Sequence, residues 1–219
     1  MVEKLDFKKE YKNLYLPKPV PSIVHVPEIR FLMIDGKGNP NDPEGEYNRA
    51  VEVLYALSYT ISMSYKGDFK IKNFFNYVVP PLEGLWWMED DDFFDIERKD
   101  RLLWTSMIRQ PHFVDEGVIH WAISELNKKK PNLDTKQVRL CDYTEGLCVQ
   151  MMHLGHFDTE IETVEKIDRF AYESGFQSAI SKVSIEGIVK RHHEIYLSDP
   201  RKVKPERMKT IIRHPIEYV

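Results

Sequence analysis

Cysteine is nearly absent from this chain. Cys141 and Cys148 are the only two among 219 residues, which excludes a disulfide-stapled scaffold. They stand seven positions apart in one predicted strand. Simple alternation there sends them to opposite faces, so no bridge is expected and both read as reduced thiols of a cytoplasmic protein. Long hydrophobic runs are missing too: none approaches the roughly 20 residues that span a bilayer. The opening MVEKLDFKKEYKNLYLPKP scatters charge where a secretory signal needs an apolar region, so no leader and no membrane attachment are expected. Neither charge sign is in excess. Lys and Arg number 31 against 35 Asp and Glu, a net −4 with no basic half, which argues against direct nucleic-acid binding.

Several chemical signatures are lacking as well. GKGNP (36–40) has no trailing lysine and leads into no GxGxxG, so a nucleotide loop is not expected. No GxSxG or cysteine–histidine signature recommends nucleophilic catalysis. His192, His193 and Glu194 are adjacent, so alternation divides them between faces. His112 and His120 lack the i, i+4 spacing of a helical zinc pair, and no metal or other cofactor is expected.

What remains is an ordinary globular composition, 42% hydrophobic and 30% charged, enriched in aromatics at 12%. The length suits one large domain or a fused pair. Residues 1–22 end in the proline-rich LPKPVPS and read as an extended arm. Residues 23–219 read as one domain of two modules, 23–114 and 136–219, joined by a helix over 115–130. In the first module a strand runs through VHVPEIRFLMID. A helix follows, with Tyr47, Val51, Leu54, Tyr55 and Ser58 on one stripe. Strands through PLEGLWW and RLLWTSMIR are then joined by an acidic connection. The second module repeats the order. VRLCDYTEGLCVQMMHL is a strand, and Ile161, Val164, Ile167, Phe170 and Ala171 mark a helix that stops at Gly175. HHEIYLSD and TIIRHPIEY are the closing strands.

The repeat is visible in the letters. Residues 27–41 overlay 144–158 without gaps, putting Glu28 on Glu145 and Gly38 on Gly155. Glu83 falls on Glu194, and MIRQP (107–111) falls on IIRHP (211–215). The expected fold class is therefore α+β: two pseudo-twofold-related strand–helix–strand–strand modules forming antiparallel sheets with a central ligand groove. Glu194 and Tyr196 share one strand face, with Ile195 and Leu197 on the other. Glu83, Leu85 and Trp87 likewise lie opposite Trp86 and Met88. A mid-strand carboxylate among apolar neighbours must be paired or face a wet site. Glu194 and Glu83 are thus candidate groove carboxylates, with Arg109, Arg191 and Arg213 as the alternative ion-pair partners. The Trp86–Trp87 tandem sends one ring each way, and flat walls with a carboxylate suit a planar or cationic ligand.

RFLMIDGKGNPND, YVVPPLEGLWW, TSMIRQPHF, EGLCVQMMHLGHFD and HHEIYLSDP with IIRHP together resemble the GyrI-like small-molecule-binding family. That fold also serves as the effector-binding domain of certain multidrug-sensing transcription regulators, and the resemblance covers about residues 20–219. It implies a central glutamate, matched here by Glu194. It is also similar to the stand-alone members that hydrolyse the cyclopropane ring of DNA-alkylating natural products within an aromatic cage. The resemblance therefore implies a hydrolase acting on hydrophobic planar molecules, the alternative being a non-catalytic binder of lipophilic or cationic compounds. The candidate residues are Glu194 and Tyr196 for catalysis, and Trp86, Trp87, Glu83, Tyr143, Glu145 and Phe157 for ligand contact.

Overall fold

The computed structural model describes residues 4–88 and 98–219. The expected acidic connection at 89–97 lies outside the described residues. The elements in chain order are α1 (Phe7–Glu10), α2 (Lys12–Tyr15), β1 (Ser22–Lys37), α3 (Glu46–Ser62), β2 (Leu82–Met88), β3 (Leu102–Arg109), α4 (Glu116–Lys129), β4 (Arg139–Leu154), α5 (Ile161–Glu173), β5 (Phe176–Ser178), β6 (His192–Tyr196) and β7 (Lys209–Tyr218). All the strand pairings are antiparallel. The order β4-β1-β3-β2-β6-β7 closes through β4–β7, so six strands form a barrel-like ring with β5 added to β7. No helix among the described residues is long and apolar enough to cross a membrane.

The arm departs from the extended course expected of it. Asp6 caps α1 by accepting the Lys8 N–H at 3.0 Å, and the prolines that forbid a helix begin only at Pro17. Leu14 and Tyr15 are thereby buried against the inside of the ring.

Each sheet face has its own cover. The outer face of module one lies under α3, with α4 packed behind it, and buries Leu54, Leu57, Trp104 and Ile108. Full burial of one such aliphatic side chain is worth about 1.5–3 kcal/mol. The outer face of module two lies under α5, where Ile167 and Ala171 meet Val149 and Ile212. The inner face packs Phe31, Met33, Leu85, Met107, Ile195 and Ile211 beneath the arm.

The repeat persists in three dimensions for most of two of its three anchors, although Glu28 is exposed where Glu145 is buried. Phe31 and Cys148 both point inward, as do Met107 and Ile211, while Leu32 and Val149 point outward. Gly38 and Gly155 both adopt positive φ, +103° and +140°, in the turns that lead to α3 and α5. The middle anchor is out of step. Glu83 pairs with Ile195, and Glu194 pairs with Gly84. Paired residues share a face, so Glu83 and Glu194 point to opposite sides of the sheet; a one-residue slip in the overlay inverts the face.

The cysteines need a similar correction. Both lie toward the inner cluster, because the strand carries an irregularity at Gly146, whose φ is +81°. Tyr143 and Cys148, five positions apart and both inward, frame it. Both thiols are free: seven residues of strand hold them on the order of 20 Å apart.

Candidate functional site

The β2–β6 pair lies at the junction of the two modules. Gly84 sits opposite Glu194 and Trp86 opposite His192, while β3 adds Ser106 beside Gly84, and β7 adds Ile212 beside Glu194. These residues share the outer face. To one side is the cluster under α3, which includes Trp86; to the other is the cluster under α5, which includes Ile212. Glu194 therefore occupies the seam between the two helices, on the helix-bearing side of the sheet. The opposite, inner faces wrap into the barrel-like groove and carry the inner cluster and the arm.

Aromatic rings surround this seam. The Tyr47 ring, from the first turn of α3, is 5.3 Å from that of Trp86 and edge-on to Trp104 at 5.2 Å. Phe157, just ahead of α5, meets Tyr196 edge-on at 5.5 Å. The Trp86 Nε1–H donates to the Tyr196 hydroxyl oxygen at 2.8 Å. Burial, and after it the nearby Glu194 charge, holds the Tyr196 and Tyr47 hydroxyls well above the ordinary phenol range. Both are proton donors at neutral pH. The Trp86 hydrogen bond acts the other way on Tyr196, favouring its anion.

Glu194 is 5% exposed and pairs with His192, whose Nε2 lies 3.4 Å from Glu194 Oε1 and 3.9 Å from Glu160 Oε1. The three side chains bring ligand-type atoms within 4.8 Å of one another, a geometry able to share a cation. Alternation separates His193 from His192 and Glu194, as expected, but leaves the last two together at i, i+2.

The sequence candidates divide between the faces. Glu194, Tyr196, Trp86 and Phe157 come together at the seam. Trp87, Glu83, Tyr143 and Glu145 lie on the inner side, where the Arg191 guanidinium covers the Trp87 ring at 4.9 Å. There His193 bridges Glu83 (3.1 Å) and Glu145 (3.0 Å), Arg213 reaches Glu145 at 3.3 Å, and the Tyr15 hydroxyl donates to Glu83 at 3.0 Å. Burial alone would lower the His193 pKa, but Glu145 and Glu83 outweigh it and raise it to about 9. The same contacts hold the Glu145 carboxyl below its ordinary value despite burial. These groups satisfy one another, which is a structural role.

Sequence reasoning missed Tyr47, Gly84, His192 and Glu160. Tyr47 stands on the predicted helix stripe, which does not say what that stripe meets, and the i, i+2 spacing of His192 and Glu194 is the signal for the histidine. Glu160 carried no local signal, because only the turn before α5 brings it to β6.

The model of the GyrI-like small molecule binding domain matches residues 19–217. The chain belongs to the GyrI-like family. Two solved Listeria innocua structures are similar over 98% of this chain and 100% of theirs, both at 48% identity. One is an uncharacterized conserved protein (TM-score 0.89) and the other a hydrolase (TM-score 0.87). The C-terminal domain of EcmrR, at 10% identity and TM-score 0.50 over 91% of this chain and 98% of that one, shares the GyrI-like fold alone. No curated protein matches the chain.

Proposed function

We propose that the seam, furnished by both modules (23–114 and 136–219), binds hydrophobic planar compounds and hydrolyses a strained cyclopropane ring fused to them. The observation that carries this reading is the Glu194–Tyr196–Trp86 floor between the Tyr47 and Phe157 rings. The name hydrolase borne by a relative at 48% identity supports it. Glu194 takes a proton from water as the water oxygen bonds to a ring carbon. The cyclopropane C–C bond breaks, and its electron pair passes through the conjugated system to the carbonyl oxygen. That oxygen, now a phenolate, accepts a hydrogen bond from the Tyr196 hydroxyl, which the Trp86 N–H polarises, and takes up a proton from solvent. A positioned acid or base contributes about 10²–10⁴-fold in rate, which relief of ring strain augments.

Purified protein mixed with a cyclopropanoid alkylator should add one water to it, read by mass spectrometry. An undiminished rate in Glu194→Gln would refute these roles. The nearly buried carboxylate, paired with a histidine, also favours a second reading, in which Glu194 is the counter-ion of a bound lipophilic cation. Tryptophan quenching by a dye panel, with every ligand recovered unchanged, would favour that reading over hydrolysis.

A further inference from the structure

Behind Glu194 a line of side chains runs out of the seam. His192 Nε2 is 3.4 Å from Glu194 Oε1, and His192 Nδ1 lies 2.8 Å from His214 Nε2. His214 Nδ1 is in turn 2.7 Å from Asp168 Oδ1 on α5. The far end is open to solvent, with the Asp168 side chain 54% exposed and His214 only 6%. We propose that His192, His214 and Asp168 form a proton relay that connects the Glu194 carboxylate to solvent on the α5 side. The proposal rests on Glu194 being the base of the seam.

Hydrogen-bond bookkeeping fixes how the relay works. An ionised Asp168 only accepts, so His214 Nδ1 carries a hydrogen. If His214 is neutral, its Nε2 accepts from His192 Nδ1–H, and the His192 Nε2 lone pair faces Glu194. The contact at 3.4 Å is then favourable only when the carboxyl holds the proton. If His214 is a cation, its Nε2–H donates to His192 Nδ1, His192 Nε2–H donates to Glu194, and the carboxylate is ionised. One proton separates the two arrangements. Moving it takes two transfers, Glu194 to His192 Nε2 across 3.4 Å, once the carboxyl swings closer, and His192 Nδ1 to His214 Nε2 across 2.8 Å.

The charged and titratable groups around His192 are Glu194 on its own strand, His214 on β7, Glu160 ahead of α5, and His193 on the opposite face. Burial lowers the His192 pKa, so the imidazole passes a proton on instead of keeping it. In turnover, the proton that Glu194 takes from water leaves by this line through His214 to solvent beside Asp168. Solvent supplies the proton that the product phenolate takes up, so water is added overall and the base is reset.

The test has two arms, one of which needs no substrate. Side-chain nitrogen NMR of the histidine-labelled protein is expected to show scalar coupling between His192 Nδ1 and His214 Nε2. The two rings should titrate together, and Asp168→Asn should shift both. Independent titrations with no coupling would overturn the relay, as would a zinc titration that saturates both His192 and Glu160 at one equivalent, marking a cation site. The second arm uses the cyclopropanoid substrate. His214→Ala is expected to lose roughly 10- to 100-fold in kcat with KM unchanged, and added imidazole should recover part of the loss. A full wild-type rate, or a loss with an unchanged pH profile and no imidazole rescue, would make His214 merely structural. If the wild-type protein hydrolyses nothing, the enzymatic reading fails and the NMR arm alone decides the relay.

Discussion

Trp86 and Tyr196, on neighbouring strands from different modules, are joined by a 2.8 Å hydrogen bond from indole N–H to phenol oxygen. Neither module alone contains both partners. Replacing Trp86 with Phe keeps the ring and removes the donor. A hydrogen bond between neutral groups is worth about 0.5–1.5 kcal/mol, so turnover should fall by roughly 2- to 10-fold. The Tyr196 ultraviolet titration should move further upward, with a much smaller effect on the denaturation midpoint.

Gly84 lets that bond exist. A Cβ there would lie 2.6 Å from Trp86 Nε1 and 3.3 Å from the Tyr196 hydroxyl, so Gly84→Ala must displace the indole. Overpacking of this kind costs about 1–3 kcal/mol. The expected result is a lower melting temperature together with weaker quenching of tryptophan by seam ligands. Unchanged affinity would mean that Trp86 does not line the site.

His193 sets an alkaline limit to stability. Its folded pKa, about 9, lies above the ordinary 6.5. The stabilisation is therefore complete below about pH 6.5 and disappears as pH rises from there through 9. It amounts to something on the order of 3 kcal/mol. Urea midpoints measured from pH 6 to pH 10 should fall across this window. His193→Gln should flatten that slope.

Arg213 is 2% exposed, and besides Glu145 it holds Gln150 and the Leu14 carbonyl, at 2.7 Å. Arg213→Leu leaves those acceptors buried with less to meet them. Breaking one side of a buried pair costs about 3–5 kcal/mol. Because the arm is one of its partners, chemical denaturation should show the loss alongside faster proteolysis near residue 14.

Much of this was legible in the letters. The duplicated order of elements, the stripes of α3 and α5, and the pairing of Glu194 with Tyr196 on one face follow from periodicities of 3.6 and 2. What escaped was register across the repeat. The overlay that equates Glu83 with Glu194 is off by a single position, and one position inverts a face, so Glu83 lies with Glu145, Tyr143 and Trp87 on the inner side while Glu194 faces the seam. Gly146 explains the cysteines in the same way, since an irregular strand breaks the alternation that placed them. Glu160 and Tyr47 reach the seam only through the packing of α5 and α3, which no local pattern encodes.

Each of the six ring strands has a neighbour on both sides, and the added β5 is three residues long. Unsatisfied strand rims are what let sheets stick to one another. Among the described residues, the closed ring leaves little free backbone for a passing strand to pair with. Self-association through strand pairing should accordingly stay low.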